Sequence, residues 1–456
     1  MSPDLIVPLA IAGAVFSHLL RKRPPLPTVV ALTTVLLAAP FVFWSPPDWS
    51  RNLLGTEVGW TPLSRLLLLT GLGTTALVVC LAAATGRGRR FESVTLLVLA
   101  AIGTAGLSAS EPLVPVLGLE SAYLLLIFAG GSRQAAGAHA EPGLAYLVMV
   151  GMSTVSLVVG FTLIQCYTVT RDPALVRLIV PLLGIGFAIL LAQFPFHFWL
   201  PPLFQRGPVT AAALAASIGV LQAFGLLAQT VSRHPWLLLN TRGGDLLLAG
   251  GLIASLCCAV LALWQSQLSR TVAYLCIGNT GFVLIGLALR SSSSVAAAVW
   301  IGTSQVLAVL VILIGLELWE GATSERSLWQ GSYAPSTAIA LVVIGALGLI
   351  GVPPLVGFPG KWALYQSAAG SEALLAGMLA ASALSMLAVL RATMMAVQQW
   401  RAQAGETRSA GTRLGQPELA AFLAAGIVAL VLGLGLYPAP LLTAINLAVD
   451  RLSLAL

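Results

Sequence analysis

Apolar residues fill long, unbroken stretches of this chain, with short polar turns between them. The stretches lie near 3–20, 27–44, 63–85, 93–109, 112–130, 143–167 and 174–194, and then near 208–230, 245–266, 271–290, 296–318, 336–371, 373–398 and 417–437. A helix of ~20 apolar residues spans the ~30 Å hydrocarbon layer of a bilayer. The runs are continuous and do not alternate apolar with polar positions, so they predict helices and not the strands of a barrel. The pattern therefore predicts an all-α, polytopic membrane protein of about fourteen transmembrane helices.

Two of the stretches carry breakers in their interiors. Gly184 and Gly186 precede Pro195, with Pro201 and Pro202 following, and Gly351-Val352-Pro353-Pro354 and Gly357-Phe358-Pro359-Gly360 interrupt the stretch at 336–371. Each interruption falls in the fourth helix of a group of five, counted from the helices near 93 and 245. Broken helices in corresponding places of two halves point to a transporter built from internal repeats, with its site at the breaks. The expected organisation is N-terminal helices over 1–90, a first five-helix repeat over 91–231, a second over 245–400, and a C-terminal helix and tail over 401–456.

Composition sharpens this reading. Hydrophobic residues make up 58% of the 456 positions and charged residues 9%, against about 25% charged in soluble domains. The net charge of +7 is scattered over short loops, as the orientation of a membrane protein requires, and predicts no nucleic-acid partner. Counting alternate loops gives thirteen basic residues on one side and seven on the other, the seven being Arg51, Arg171, Arg177, Arg233, Arg242, Arg290 and Arg451. The richer side is expected in the cytoplasm, with both termini outside. The first apolar run has its basic cluster, Arg21-Lys22-Arg23, after it and so reads as a retained helix, not a signal peptide. The five cysteines lie within or at the ends of apolar runs, without metal-ligand spacing. No nucleotide loop, dinucleotide fingerprint, metal cluster or nucleophile elbow is present. No catalytic residue, metal site or cofactor is expected in this chain, and any redox chemistry belongs to partners.

Ionisable groups inside the hydrocarbon layer cost at least ~2.5 kcal/mol each on insertion scales, so each is a functional candidate. Glu120 lies near the middle of its run, in Leu117-Gly118-Leu119-Glu120-Ser121, and could carry a proton or pair with a cation on a neighbouring helix. Lys361 follows the second interruption, beside freed carbonyls that can hold its charge, and reads as a proton-exchanging group. His197, in Phe194-Pro195-Phe196-His197-Phe198-Trp199, reads equally as a proton relay or as a packed core histidine. Glu317 and Arg65 sit near helix ends, where snorkelling explains them. Arg270 opens a helix on the cytoplasmic side, where anchoring explains it.

These residues carry a resemblance. Ala192 to Pro201, followed by Gly207-Pro208-Val209-Thr210-Ala211, is similar to the hallmark of the antiporter-like membrane subunits of respiratory complex I, membrane-bound hydrogenases and Mrp cation/proton antiporters. In the same order, Leu117-Gly118-Leu119-Glu120 resembles the family's fifth-helix glutamate motif. Ser269-Arg270-Thr271-Val272-Ala273-Tyr274, with Gly281-Phe282, resembles its Lys-Arg-x-x-Ala-Tyr segment, and Gly351 to Lys361 its broken twelfth helix and lysine. The match covers roughly 90–400 and lies nearest the complex I N-type and Mrp D-type branch. The resemblance implies two inverted five-helix repeats joined by a central polar axis along which protons or sodium ions move. It implies Glu120, His197 and Lys361 as ion-translocating residues, supported by Gln193, Trp199, Gln222 and Arg270, with other membrane subunits and redox subunits as partners in a bacterial or archaeal cell membrane.

The chain also departs from the family pattern. Leu190 stands where the family places a lysine before the Pro-Phe-His segment, and the following helix, with Ala216-Ser217-Ile218-Gly219, has no lysine. Trp300, Ser304 and Ala308 stand nearest the His/Lys positions of the eleventh helix, and Pro202 replaces an acidic residue. Glu120 thus loses its usual partner, which implies a glutamate that rests protonated or pairs with another subunit. Gln193, Gln222, Ser217 and Thr210 could hold water instead. A silent structural copy within such a complex is the nearest alternative. An independent solute transporter and a partner of an inorganic-carbon uptake protein are the others.

Overall fold

The computed structural model describes residues 5–23, 25–44, 49–53, 56–84, 95–99, 103, 108–109, 113–129, 140–207, 209–239, 241–323, 335–403, 417–450 and 452. Within these lie helices α1 (Ile6–Leu19), α2 (Leu26–Phe43), α3 (Pro62–Ala84), α4 (Leu113–Ala129), α5 (Ala140–Thr170), α6 (Pro173–Leu190) and α7 (Leu200–Arg206). They continue as α8 (Val209–Arg233), α9 (Gly243–Leu263), α10 (Leu268–Ala288), α11 (Ser292–Thr323), α12 (Pro335–Ile350) and α13 (Gly357–Ala368). The chain ends in α14 (Glu372–Gln403), α15 (Pro417–Leu436) and α16 (Ala439–Val449). Among the described residues nine helices are long and apolar enough to cross a membrane. The chain is an all-α polytopic membrane protein, as its apolar pattern predicts.

Several elements differ from the pattern's bounds. The run at 93–109 is helical over the described residues 95–99, but Ser108–Ala109 form a strand, β3, that extends an antiparallel hairpin of β1 (Ser50–Leu53) and β2 (Thr56–Gly59). These residues lie in connections between helices, where backbone groups must find partners by other means. The C-terminal span turns by 72° after Leu436 into α16, because Tyr437-Pro438 cannot continue a helix.

Burial orders the helices into a centre and a rim. The spans of α8 and α10 are wholly buried and that of α11 is 94% buried, whereas only about a third of α6 and α9 is. The rim helices turn large apolar side chains such as Val155, Leu178, Leu246 and Leu387 outward, the arrangement expected of a lipid-facing surface. α5 packs on α6, α9 on α10, α10 on α11, and α11 on α12 and α13.

Both interruptions adopt one backbone design. α6 ends at Leu190, four residues before its apolar run does, and is followed by left-handed Ala192 (φ 49°), the cis bond Phe194–Pro195 and a 3-10 turn over Phe196–Trp199. α12 ends at Ile350 and is followed by left-handed Gly351 (φ 83°), the cis bond Pro353–Pro354 and α13. In each case the left-handed residue stands three positions before the cis proline. The residue directly after the left-handed one closes a wide turn back onto the helix, Gln193 N–H to Ala188 O at 2.7 Å and Val352 N–H to Leu347 O at 3.1 Å. A third irregularity lies midway, where α8 widens into a π-turn at Ala215–Gly219.

Close packing at the second break needs Gly357, on which a Cβ would lie 2.0 Å from the carbonyl oxygen of Gly348. Gly357→Ala is expected to cost about 1–3 kcal/mol, and Gly184→Ala, where a Cβ meets nothing within 4 Å, to be neutral or slightly stabilising. Thermal unfolding of the two variants in detergent checks this, and equal midpoints would contradict it.

Candidate functional site

Glu120 stands on α4, buried at 3% exposure. Its Oε1 accepts a hydrogen bond from Ser153 Oγ of α5 at 3.1 Å, and the same hydroxyl lies 3.1 Å from the carbonyl oxygen of Gly186 on α6. Gly186 permits this approach, since a Cβ there would lie 2.6 Å from Leu157. One turn along α4, Tyr123 donates to the carbonyl oxygen of Leu190 at 2.8 Å, and Tyr146 of α5 donates to that of Tyr123 at 2.5 Å. Trp199 closes the cluster, its indole donating to Ile189 O at 3.0 Å while its ring meets those of Tyr123 and Tyr146 edge-on. These donors serve the last carbonyls of α6, which the break deprives of helix partners.

The centre of the molecule holds buried amides. Gln305 of α11, 2% exposed, donates from Nε2 to Ala216 O at 2.6 Å, a carbonyl in the π-turn of α8. Its Oε1 accepts from Asn279 Nδ2 of α10 at 2.9 Å, and Thr280 lies 3.5 Å away. Widening a helix by one residue re-aims its carbonyls, and here one of them serves as the docking point for α11. Nearby, Thr210 of α8 donates to Glu317 Oε1 of α11 at 3.1 Å. Glu317 is 3% exposed, which corrects the snorkelling reading: its position near the end of α11 is covered by α8.

Lys361 lies on α13, 4% exposed, with its Nζ 4.1 Å from the centroid of the Phe282 ring. Phe282 stands on α10 one turn beyond Asn279. A cation over an aromatic face gains ~0.5–2 kcal/mol, more as water is withdrawn. The aliphatic stem of Lys361 runs along the break, so that a Cβ on Gly351 would lie 2.9 Å from Lys361 Cδ. Beyond Phe282, Tyr365 meets the same ring edge-on and bonds Ser382 of α14 at 2.7 Å. The break at the second half is held by the indole of Trp300, which donates to Val356 O at 2.7 Å.

The other expected residues take different places. His197 is half-buried in the 3-10 turn, between the rings of Phe194 at 5.4 Å and Tyr274 at 5.9 Å. Arg270 opens α10 one turn before Tyr274, half-buried, with its Nε enclosed and without a partner. Gln193 turns its amide back on its own segment, to Leu191 O at 3.0 Å. Gln222 donates to Leu67 O of α3 at 3.1 Å and so ties α8 to the N-terminal helices. Arg65 caps the end of α2 through Phe43 O. Ser304 bonds its own helix at Ile301, and its neighbour Gln305 faces the centre. Asn279 and Gln305 could have been found in the sequence by the rule that singles out Glu120, namely a strongly polar group within an apolar run. Among the described residues no group of His, Cys, Asp and Glu could hold a metal ion.

Two broken helices, each with a buried ionisable residue beside it, and buried polar side chains joining α8, α10 and α11 define a polytopic membrane protein with a polar centre. The family described as NADH:quinone oxidoreductase/Mrp antiporter, TM, matches residues 112–388, and the chain belongs to it. NADH-quinone oxidoreductase subunit N of Geobacter metallireducens is 31% identical over 96% of each chain. Subunit N 2 of Acidobacterium capsulatum is 30% identical over 61% of this chain, and the match spans 60% of that relative's length. Among solved structures, a chain of the membrane-bound sulfane sulfur reductase, an archaeal respiratory membrane complex, superposes with a TM-score of 0.82 at 18% identity, over 99% of this chain and 97% of that one. At that identity the likeness concerns the fold.

Replacing Gln305 by leucine removes a bridge among α8, α10 and α11 and leaves Ala216 O and Asn279 Nδ2 unpaired. Gln305→Leu is expected to cost about 1–2 kcal/mol, and Gln305→Asn, too short to span both partners, nearly as much. Denaturation in detergent measures this, and a loss confined to ion movement at unchanged stability would instead assign Gln305 a purely conductive role.

Proposed function

We propose that this chain is an antiporter-like membrane subunit of a multisubunit ion-translocating complex, moving protons or sodium ions through its second half. The observation that carries this reading is Lys361. A lysine buried at 4% exposure without an acidic partner among the described residues is costly in a membrane protein, and a purely structural part gains nothing from it. Phe282, over which Lys361 lies, stands one turn from Asn279 on α10, and Asn279 bonds Gln305, which bonds the π-turn of α8, the direction in which charge would have to pass between the halves. The two breaks, matched in left-handed residue and wide turn, support the assignment of 91–231 and 245–400 as a repeated pair.

In this reading Glu120 rests protonated. Ser153 has one proton and two acceptors at 3.1 Å, Glu120 Oε1 and Gly186 O. A protonated Glu120 can donate to Ser153 while Ser153 donates to Gly186, so that both 3.1 Å contacts are hydrogen bonds. With a carboxylate, the single Ser153 proton serves only one of the two acceptors. The partners are further membrane subunits of the same complex, with redox subunits if the complex is an oxidoreductase like those named for its relatives. The chain would lie in a bacterial or archaeal cell membrane with both termini outside.

A second reading, a non-pumping structural copy, is favoured by Leu190 at one position where the resemblance implies a lysine and by the absence of any lysine in the following helix, over 209–233. Reconstitution of the assembled complex into vesicles separates the two. Lys361→Ala is expected to abolish ion movement, at least tenfold, with assembly unchanged, and Glu120→Gln to reduce it less. Flux unaltered by both substitutions would establish the structural reading.

A further inference from the structure

Away from the breaks, an open cleft of about 600 Å3 lies between α6 and the segment that leads into α9. Arg177 and Arg242 both line it, with Val180 and Pro181 of α6, and so do Tyr167 and Trp236, whose ring centroids are 4.8 Å apart. Pro181, inside α6, has no N–H to give to the carbonyl of Arg177, so the helix presents an acceptor-bearing, irregular face there.

Charge at this mouth is one-sided. Of the seven basic residues on this side of the membrane, Arg171, Arg177, Arg233 and Arg242 come from the two connections that border the cleft. The acidic groups facing them are Asp172, whose carboxylate accepts from Ala174 N–H at 2.9 Å, and Asp245 in the first turn of α9. Among the described residues neither Arg177 nor Arg242 has a hydrogen bond or ion pair. On the two helices that lead away from these arginines, apolar side chains are turned outward: Leu178 of α6 is 55% exposed and Leu246 of α9 61%. A tyrosine and a tryptophan mark the headgroup level.

We propose that this cleft binds the phosphate headgroup of an anionic phospholipid, with its acyl chains along the outward apolar faces of α6 and α9. Two guanidinium forks suit phosphate oxygens. The outward apolar side chains on the same two helices distinguish a lipid from a free anion, for which the arginines alone would suffice.

The test uses the full chain in detergent, with native mass spectrometry counting retained lipid as phosphatidylglycerol or phosphatidylcholine is titrated in. Phosphatidylglycerol is expected to be retained in preference to phosphatidylcholine. The Arg177→Gln/Arg242→Gln variant should weaken that retention roughly tenfold at an unchanged melting midpoint in phosphatidylcholine. Should the double variant not fold, each single substitution is expected to show a partial loss. Equal retention of the two lipids, or retention unaffected by the substitutions, overturns the proposal. Displacement by millimolar inorganic phosphate would show a small-anion site, and loss of the lipid on assembly of the complex would show an acidic segment of a neighbouring subunit as the occupant. Either result also overturns it.

Discussion

A helix that breaks inside a bilayer strands its last carbonyls in a medium with no water to receive them, and each unpaired group costs several kcal/mol. At the first break the burden falls on two aromatic donors: Tyr123 and Trp199 serve Leu190 and Ile189 at the end of α6. At the second, a third aromatic donor, Trp300, fixes the turn that leads into α13 through Val356 O. All three side chains are at most 1% exposed, so each must have a partner, and the geometry of the breaks follows from where they stand. Glu120 and Lys361, both buried, stand beside those breaks.

The two breaks share a backbone design and differ in what stands beside them. At the second, a cation lies over Phe282, with Tyr365 and Ser382 beyond it. At the first, Glu120 meets the hydroxyl of Ser153. A buried charge without a counter-ion is costly, and a neutral hydrogen-bonding partner is the cheaper way to hold a polar group in the core. Between the breaks the π-turn carbonyl of Ala216 meets an amide, Gln305, so these hydrogen bonds, which tie α8, α10 and α11 together there, join neutral groups.

Much of this was legible in the residues. The apolar runs are long because a bilayer demands it, and Pro195, Gly351 and Pro354 mark the breaks because neither residue type continues a helix. Glu120 and Lys361 stood out through the cost of placing charge in hydrocarbon. The hairpin at 50–59 escaped because a few residues between two long runs carry no periodic signal. Glu317 was misjudged because distance from a helix end says nothing of which neighbour covers it. Asn279 and Gln305 were passed over although each lies within an apolar run, since an amide costs less than a charge and so signals less.

Sequence alone therefore determined the class of protein, the order of its long apolar helices and where two of them break, and it singled out Glu120 and Lys361 as ionisable residues within apolar runs. Those are properties of single segments in a known solvent. Tertiary structure decided the partners: Ser153 for Glu120, Phe282 for Lys361, Ala216 and Asn279 for Gln305, Thr210 for Glu317. Each of these contacts joins two helices whose facing sides are equally apolar in the sequence. Only packing, by deciding which small residues let two backbones come close, sets which polar side chain meets which.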